Sequence, residues 1–269
     1  MLRDITIGQY YQADSLIHRL DPRVKILSTF VFIISLFAVN NFFGYFIAAL
    51  YLAIIIKISK VPFRFIMRGM KTIFFLLLIT VVFNLFLTPG NTIFKLGFLT
   101  ISDQGLKMAV RMAVRLIFLL IGSSIMTLTT TPNQLTDALE SLLKPLKKIG
   151  IPVHEISMMM SIALRFIPIL MEETDKIMKA QMARGADFES GNLLQRAKSL
   201  IPILVPLFIS AFRRANDLAM AMEARCYRGG DGRTKMKPLI YKRCDYYAYS
   251  FMAVCNIAII VLGRISKIY

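Results

Sequence analysis

The sequence predicts an all-α membrane protein of about five transmembrane helices with a long helical insert in water, and three observations predict it. Hydrophobic residues make up 56% of the 269 positions, more than an ordinary soluble domain carries and far more than a disordered chain. They gather in uncharged runs of span length, at residues 26–56, 73–94, 116–136 and 246–263. Lys and Arg number 33 against 16 Asp and Glu, a net charge of +17, and they crowd the ends of those runs as they do on the inner side of a membrane. Membrane lipid is therefore the partner the charge implies. Nucleic acid is not, because the basic residues flank apolar runs and no Trp and no RNA-binding aromatic motif accompanies them.

The first residues, through Asp4, Asp14 and Asp21, are too acidic for a cleaved signal peptide, and the N-terminus is expected to be retained in the cytoplasm. Residues 26–56 as one helix would run about 46 Å against a hydrocarbon core of about 30 Å. Two spans fit better. Arg19, Arg23 and Lys25 precede the run, Lys57, Lys60, Arg64 and Arg68 follow it, and Asn40, Asn41 and Gly44 mark an uncharged tip, so the positive-inside rule makes a hairpin with both ends cytoplasmic. The third span, 73–94, starts beside Lys71 and leads outward to the turn cluster Thr88, Pro89, Gly90 and Asn91. The fourth, 116–136, returns inward behind Arg111 and Arg115, which share a helix face and can snorkel or pair inside the bundle. The fifth, 246–263, follows Lys235, Lys237, Lys242 and Arg243 and exits. This gives an N-terminal membrane domain of four spans in 1–130, a cytoplasmic domain in 131–243 and a C-terminal span in 244–269.

The insert carries most of the carboxylates, so it belongs in water or at the interface, with its apolar stretches at 156–170 and 200–212 folded as amphipathic helices. The alternative is that one pair of these stretches also crosses, against which stand Arg165 and the short lengths. The Thr131-Pro132 turn opens a helix over 133–148, interrupted by Pro145. Gly150 and Pro152 open a second of about 33 residues and about 50 Å, bent at Pro168. A third runs from the N-cap type residue Asn192 to Arg225, bent at Pro202 and Pro206. The two long helices end alike, in Ala183-Arg184-Gly185 and Ala224-Arg225-Cys226. Helix termination alone favours a cation and then a glycine. Two such ends together give a membrane protein two projecting guanidinium groups, able to bind carboxylates or carbonyls of a partner by directed hydrogen bonds and to transmit a rigid-body movement.

Chemistry is not written elsewhere in the chain. There is no P-loop pattern. His18 and His154 lie far apart with no second ligand at metal spacing, Cys226, Cys244 and Cys255 form neither a metal site nor a disulfide framework, and no cofactor or metal is expected. Asp103 is the only carboxylate between Ile26 and Thr136, which disfavours a self-powered carrier or channel. A membrane enzyme ranks last, for want of a nucleophile–base pair. Met158, Met159 and Met160, with Met171, Met178 and Met182, read as core filler or as an adaptable partner surface.

The N-terminal segment Ser15-Leu16-Ile17-His18-Arg19-Leu20-Asp21-Pro22-Arg23-Val24-Lys25, the Gly150-Ile151-Pro152 helix start, the Arg165-Phe166-Ile167-Pro168 segment and the paired Ala-Arg tips resemble the transmembrane T component of energy-coupling factor (ECF) transporters, a group that includes the cobalt-transport Q protein. The resemblance covers nearly the whole chain. It implies a membrane bundle with a cytoplasmic coupling domain of long crossed helices, in a bacterial or archaeal cytoplasmic membrane, joining two ABC-type ATPase subunits to a substrate-binding S component for vitamin or micronutrient uptake. The chain itself would then be non-catalytic, with ATP hydrolysed by its partners. Carried over, Arg184, with Ala183 and Gly185, and Arg225, with Ala224 and Cys226, dock on the ATPases. Cys226 stands where the family pattern has glycine, with Arg228-Gly229-Gly230 close by as an alternative turn. Met158, Met159, Met160, Ile162, Phe166 and Ile169 are the S-component contact expected on the apolar face. A dedicated cobalt or nickel importer is the nearest alternative.

Overall fold

The computed structural model describes residues 10–39, 41–88, 92–96, 99–188, 192–230 and 234–265. Asn40, Pro89, Gly90 and Asn91, expected in turns, lie outside the described residues. The chain is helical almost throughout. In order come α1 (Leu16–Arg19), α2 (Pro22–Ala38), α3 (Phe42–Ser59) and α4 (Phe63–Leu87), a two-stranded antiparallel hairpin of β1 (Thr92–Leu96) and β2 (Leu99–Ser102), and α5 (Asp103–Thr129). Then follow α6 (Pro132–Leu143), a 3₁₀ turn at Lys144–Ile149, α7 (Val153–Ala183), α8 (Leu193–Ser199), α9 (Ile201–Ala224) and α10 (Arg243–Ile265). Packing divides these into two compact units, Leu139–Pro238 in one and Gly8–Ala138 with Leu239–Tyr269 in the other.

The second of these holds all five runs expected to cross, in α2, α3, α4, α5 and α10. Its core gathers Phe32, Leu36, Ala48, Tyr51, Leu52, Ile66, Ile121, Ile125 and Ile259. Its outer faces leave Phe30, Phe37, Phe42, Phe46, Phe75 and Phe83 exposed, a belt that water would not tolerate and hydrocarbon does. By length and composition α3, α5, α7 and the Arg243–Val261 part of α10 qualify as spans among the described residues.

Local chemistry fixes the ends. Asp21 caps α2, its carboxylate accepting from the Arg23 N–H with Pro22 at the first helical position. Ser102 caps α5 through the Gly105 N–H, where a Cβ would stand 3.0 Å from the Leu85 carbonyl, so glycine lets α5 close on α4. Arg115 pairs inside the bundle as expected: it donates to the Val39 carbonyl at 2.9 Å and the Tyr45 hydroxyl at 3.2 Å, satisfying the C-terminal end of α2. Three boundaries differ from expectation. α4 begins at Phe63, immediately after Pro62, well before the uncharged run. α5 stops at Thr129 rather than Thr136, because Pro132 disfavours helical backbone at the residue before it and opens α6 instead. The helix expected from Asn192 to Arg225 is two, α8 and α9, meeting at Leu200. Pro202 has no N–H to offer the Lys198 carbonyl and its ring crowds that oxygen, so the ladder restarts with Pro202 in the first turn.

Candidate functional site

The unit Leu139–Pro238 is organised by α7 and α9. α7 has 31 residues and α9 has 24, about 46 Å and 36 Å at the helical rise. Glu173 on α7 accepts from Arg214 at 2.7 Å and from the Ser210 hydroxyl on α9. Gln181 donates to the Pro202 carbonyl. Ile162, Phe166 and Leu170 share a groove of about 250 Å³ with Ala215, Leu218 and Met222. Numbers rising on one helix pair with numbers falling on the other, so the helices run antiparallel and their C-terminal tips lie at opposite ends of the pair.

The tips have one geometry. At the first, Arg184 is the C-cap, Gly185 takes φ +88°, and the Gly185 and Ala186 N–H groups donate to Met182 and Gln181, each at 3.0 Å. At the second, Arg225 is the C-cap, Cys226 takes φ +54°, and the Cys226 and Tyr227 N–H groups donate to Glu223 at 2.8 Å and Met222 at 3.0 Å. Both are the Schellman closure, in which the last free carbonyls are taken by the two residues after the cap. Cys226 occupies the glycine position and adopts the glycine conformation, which costs a side-chain-bearing residue about 1–2 kcal/mol. Arg184 and Arg225 are exposed, and neither guanidinium has a hydrogen bond or ion pair among the described residues. Beyond the second tip, Gly229 also takes a left-handed φ, +91°. A Cβ on Gly230 would sit 2.1 Å from the His154 ring, so this glycine admits the chain over the start of α7.

That crossing is fastened by a cluster that sequence spacing does not reveal. Glu140 on α6 meets His154 Nδ1 at 2.9 Å, the Ser157 hydroxyl at 3.0 Å and the Lys235 ammonium at 2.6 Å. Burial alone would raise the Glu140 pKa, and the hydrogen bonds from Lys235, His154 and Ser157 outweigh it and hold the carboxyl below its ordinary value. The partners lie 14, 17 and 95 residues away. Only the mixed charge of the insert hinted at such a contact.

An apolar surface completes the unit. On α7, Ile156, Met159, Met160 and Ile167 are exposed; on α9, Leu204, Val205, Phe208 and Phe212 are. At 100° per residue the middle of each stripe stands about a quarter turn from the contact with the other helix, with Met159 and Leu204 nearest to it. Because the helices are antiparallel, both stripes face the same side. Of the expected S-component residues, Met159 and Met160 lie in this open surface, Met158 and Ile169 are half-buried, and Ile162 and Phe166 point into the groove against α9.

The family model for the cobalt transport protein CbiQ matches residues 13–236. Proteins named energy-coupling factor transporter transmembrane protein EcfT are similar along nearly their whole length. The one from Clostridium kluyveri is 60% identical over 98% of both chains. Those from Ruminiclostridium cellulolyticum and Bacillus subtilis are 55% and 48% identical, covering 91% of this chain and 92% and 93% of theirs.

Proposed function

The chain belongs to the EcfT/CbiQ family of energy-coupling factor transporter transmembrane proteins, and from that premise we propose that it is the scaffold through which two partner ATPases drive a substrate-binding S component. It is a multi-pass bacterial membrane protein and a transport component. The membrane domain comprises 1–130 and 244–269, the coupling domain 131–243, and the N-terminus faces the cytoplasm, where the basic flanks of the spans belong.

The observation that carries this reading is the pair of identical arginine-capped tips at opposite ends of α7 and α9. Each presents a guanidinium without a partner among the described residues, on a backbone locked by two hydrogen bonds. One ATPase subunit takes Arg184 with Ala183 and Gly185, the other takes Arg225 with Ala224 and Cys226. Nucleotide-driven closure of the ATPase pair then displaces the tips, and the helices, held together by Glu173, Ser210 and Arg214, carry the displacement as one body to the S component. The S component lies against Met159 and Met160, with Met158 and Ile169 beside them and Ile162 and Phe166 supporting them from α9's side. ATP is hydrolysed by the partners; this chain contributes position and force. The substrate, a vitamin or other micronutrient, is held by the S component.

The test is charge reversal at both tips. Arg184→Glu with Arg225→Glu places a carboxylate where a cation docks, and is expected to reduce ATPase co-purification and to uncouple hydrolysis from uptake in reconstituted vesicles. Full co-purification and full uptake by the double variant would remove the proposal.

A further inference from the structure

The unit containing α1, α2, α3, α5 and α10 frames an open-mouthed cavity of about 660 Å³ that the coupling mechanism does not use. Its size falls within the about 300–1,000 Å³ usual for small-molecule sites. The walls come from the first half of α2, the second half of α3, the last turns of α5 and the first half of α10. Those four segments share one end of the bundle. At that end stand Arg19, Lys25 and Lys242, and further in the lining turns apolar, through Ile55, Met126 and Phe251.

The charges are arranged for an anion. Lys25 is only 6% exposed, and its ammonium donates to two neutral carbonyls, Thr129 at 2.8 Å and His18 at 3.3 Å. An ammonium has three N–H groups, and the third has no acceptor among the described residues. Nor has Lys25 an ion pair among them; Asp21 and Asp245 act on it only at longer range. Asp245 is itself committed, accepting from the backbone N–H groups of Asp21 and Lys242. Arg19 is paired with Asp14. The Lys242 ammonium is exposed and has no partner among the described residues. Two carboxylates at longer range offset the buried Lys25 charge without contacting it, and a buried cation held without a contact partner is costly.

We infer that this cavity holds one anionic phospholipid, its phosphate between Lys25 and Lys242 and an acyl chain running inward past Met126 and Phe251. The order of the lining, cation first and hydrocarbon deeper, is the order of a lipid in a leaflet. On the orientation proposed above the leaflet is the inner one, which carries the anionic lipids. A soluble anion would satisfy the lysines and leave the apolar part empty; an uncharged lipid would do the reverse.

The full chain is exchanged into mixed micelles of equal phosphatidylglycerol and phosphatidylcholine, and retained lipid is counted by native mass spectrometry. One phosphatidylglycerol per chain is expected, not displaced by inorganic phosphate. Lys242→Gln should weaken its retention about five-fold, the effect of one Lys or Arg at an anionic membrane surface. Ala248→Phe on α10, or Ser28→Leu on α2, should exclude both lipids by filling the cavity. Equal retention of the two lipids, displacement by phosphate alone, or plugged variants that keep their lipid but lose a protein partner would each overturn the inference. If both plugged variants fail to fold, Lys242→Gln decides: unchanged phosphatidylglycerol retention refutes the site.

Discussion

The two tips differ by one residue in an otherwise shared backbone, and exchanging it isolates a single energy. A Cβ built on Gly185 meets nothing within 4 Å, so Gly185→Ala adds no clash and acts only through φ +88°. Holding a residue with a side chain there costs about 1–2 kcal/mol, partly offset by about 0.4–1 kcal/mol from the narrower unfolded ensemble that alanine has. The net is a loss of about 1 kcal/mol, or about five-fold in the opening equilibrium of the tip. Cys226→Gly reverses the sign at φ +54°, and is expected to tighten the second tip by a similar factor. The assay is amide hydrogen exchange at Ala186 and Tyr227, whose N–H groups close the two motifs. Exchange at Ala186 should speed up in Gly185→Ala, and exchange at Tyr227 should slow in Cys226→Gly. Changes of the same sign in both variants, or none in either, would refute the assignment of the strain to this position.

Three further outcomes follow from the packing. Arg115→Met takes the charged donor from the buried Val39 carbonyl, which keeps only the longer bond from the Tyr45 hydroxyl, and is expected to cost about 0.5–1.5 kcal/mol, read as a lower midpoint in denaturant titration of the solubilised chain. Glu140 has a folded pKa below its ordinary 4.5, so its contribution to stability is present above about that pH and is lost as pH falls through the lower folded value. Protection from hydrogen exchange at the start of α7, referred to the intrinsic rate at each pH, should therefore fall in acid, and Glu140→Gln should flatten that dependence. Pro202→Ala restores an N–H facing the Lys198 carbonyl and is expected to join α8 to α9, seen as slowed exchange at 200–203.

The helices of the apolar bundle were legible because the length of uncharged runs and the turn residues between them are local signals. α2 and α3 part at the expected tip, and Arg115 finds its partner inside the bundle. Proline positions were legible too, but not their consequences: Pro168 stays within α7 and Pro206 within α9, whereas Pro202 starts a helix. Whether a proline bends or breaks depends on what packs beside it, which sequence does not show. The arginine tips were visible as paired words, and the left-handed Cys226 was not, because glycine is the usual sign of that conformation. The Glu140 cluster and Asp245, which accepts from Asp21 across 224 positions, depend on contacts too distant in the chain for any spacing rule.

The antiparallel run of α7 and α9 sets the two guanidinium ends about 35 Å apart by helical rise, on a body fastened along its length by Glu173 and Gln181. Forces applied at the two extremities of such a body, equal and opposed, form a couple, and their product is torque with no net translation. The moment arm is fixed by the number of residues between Leu200 and Arg225. If both tips are held as proposed above, lengthening or shortening α9 by a turn would change the angle swept for a given stroke without altering either grip.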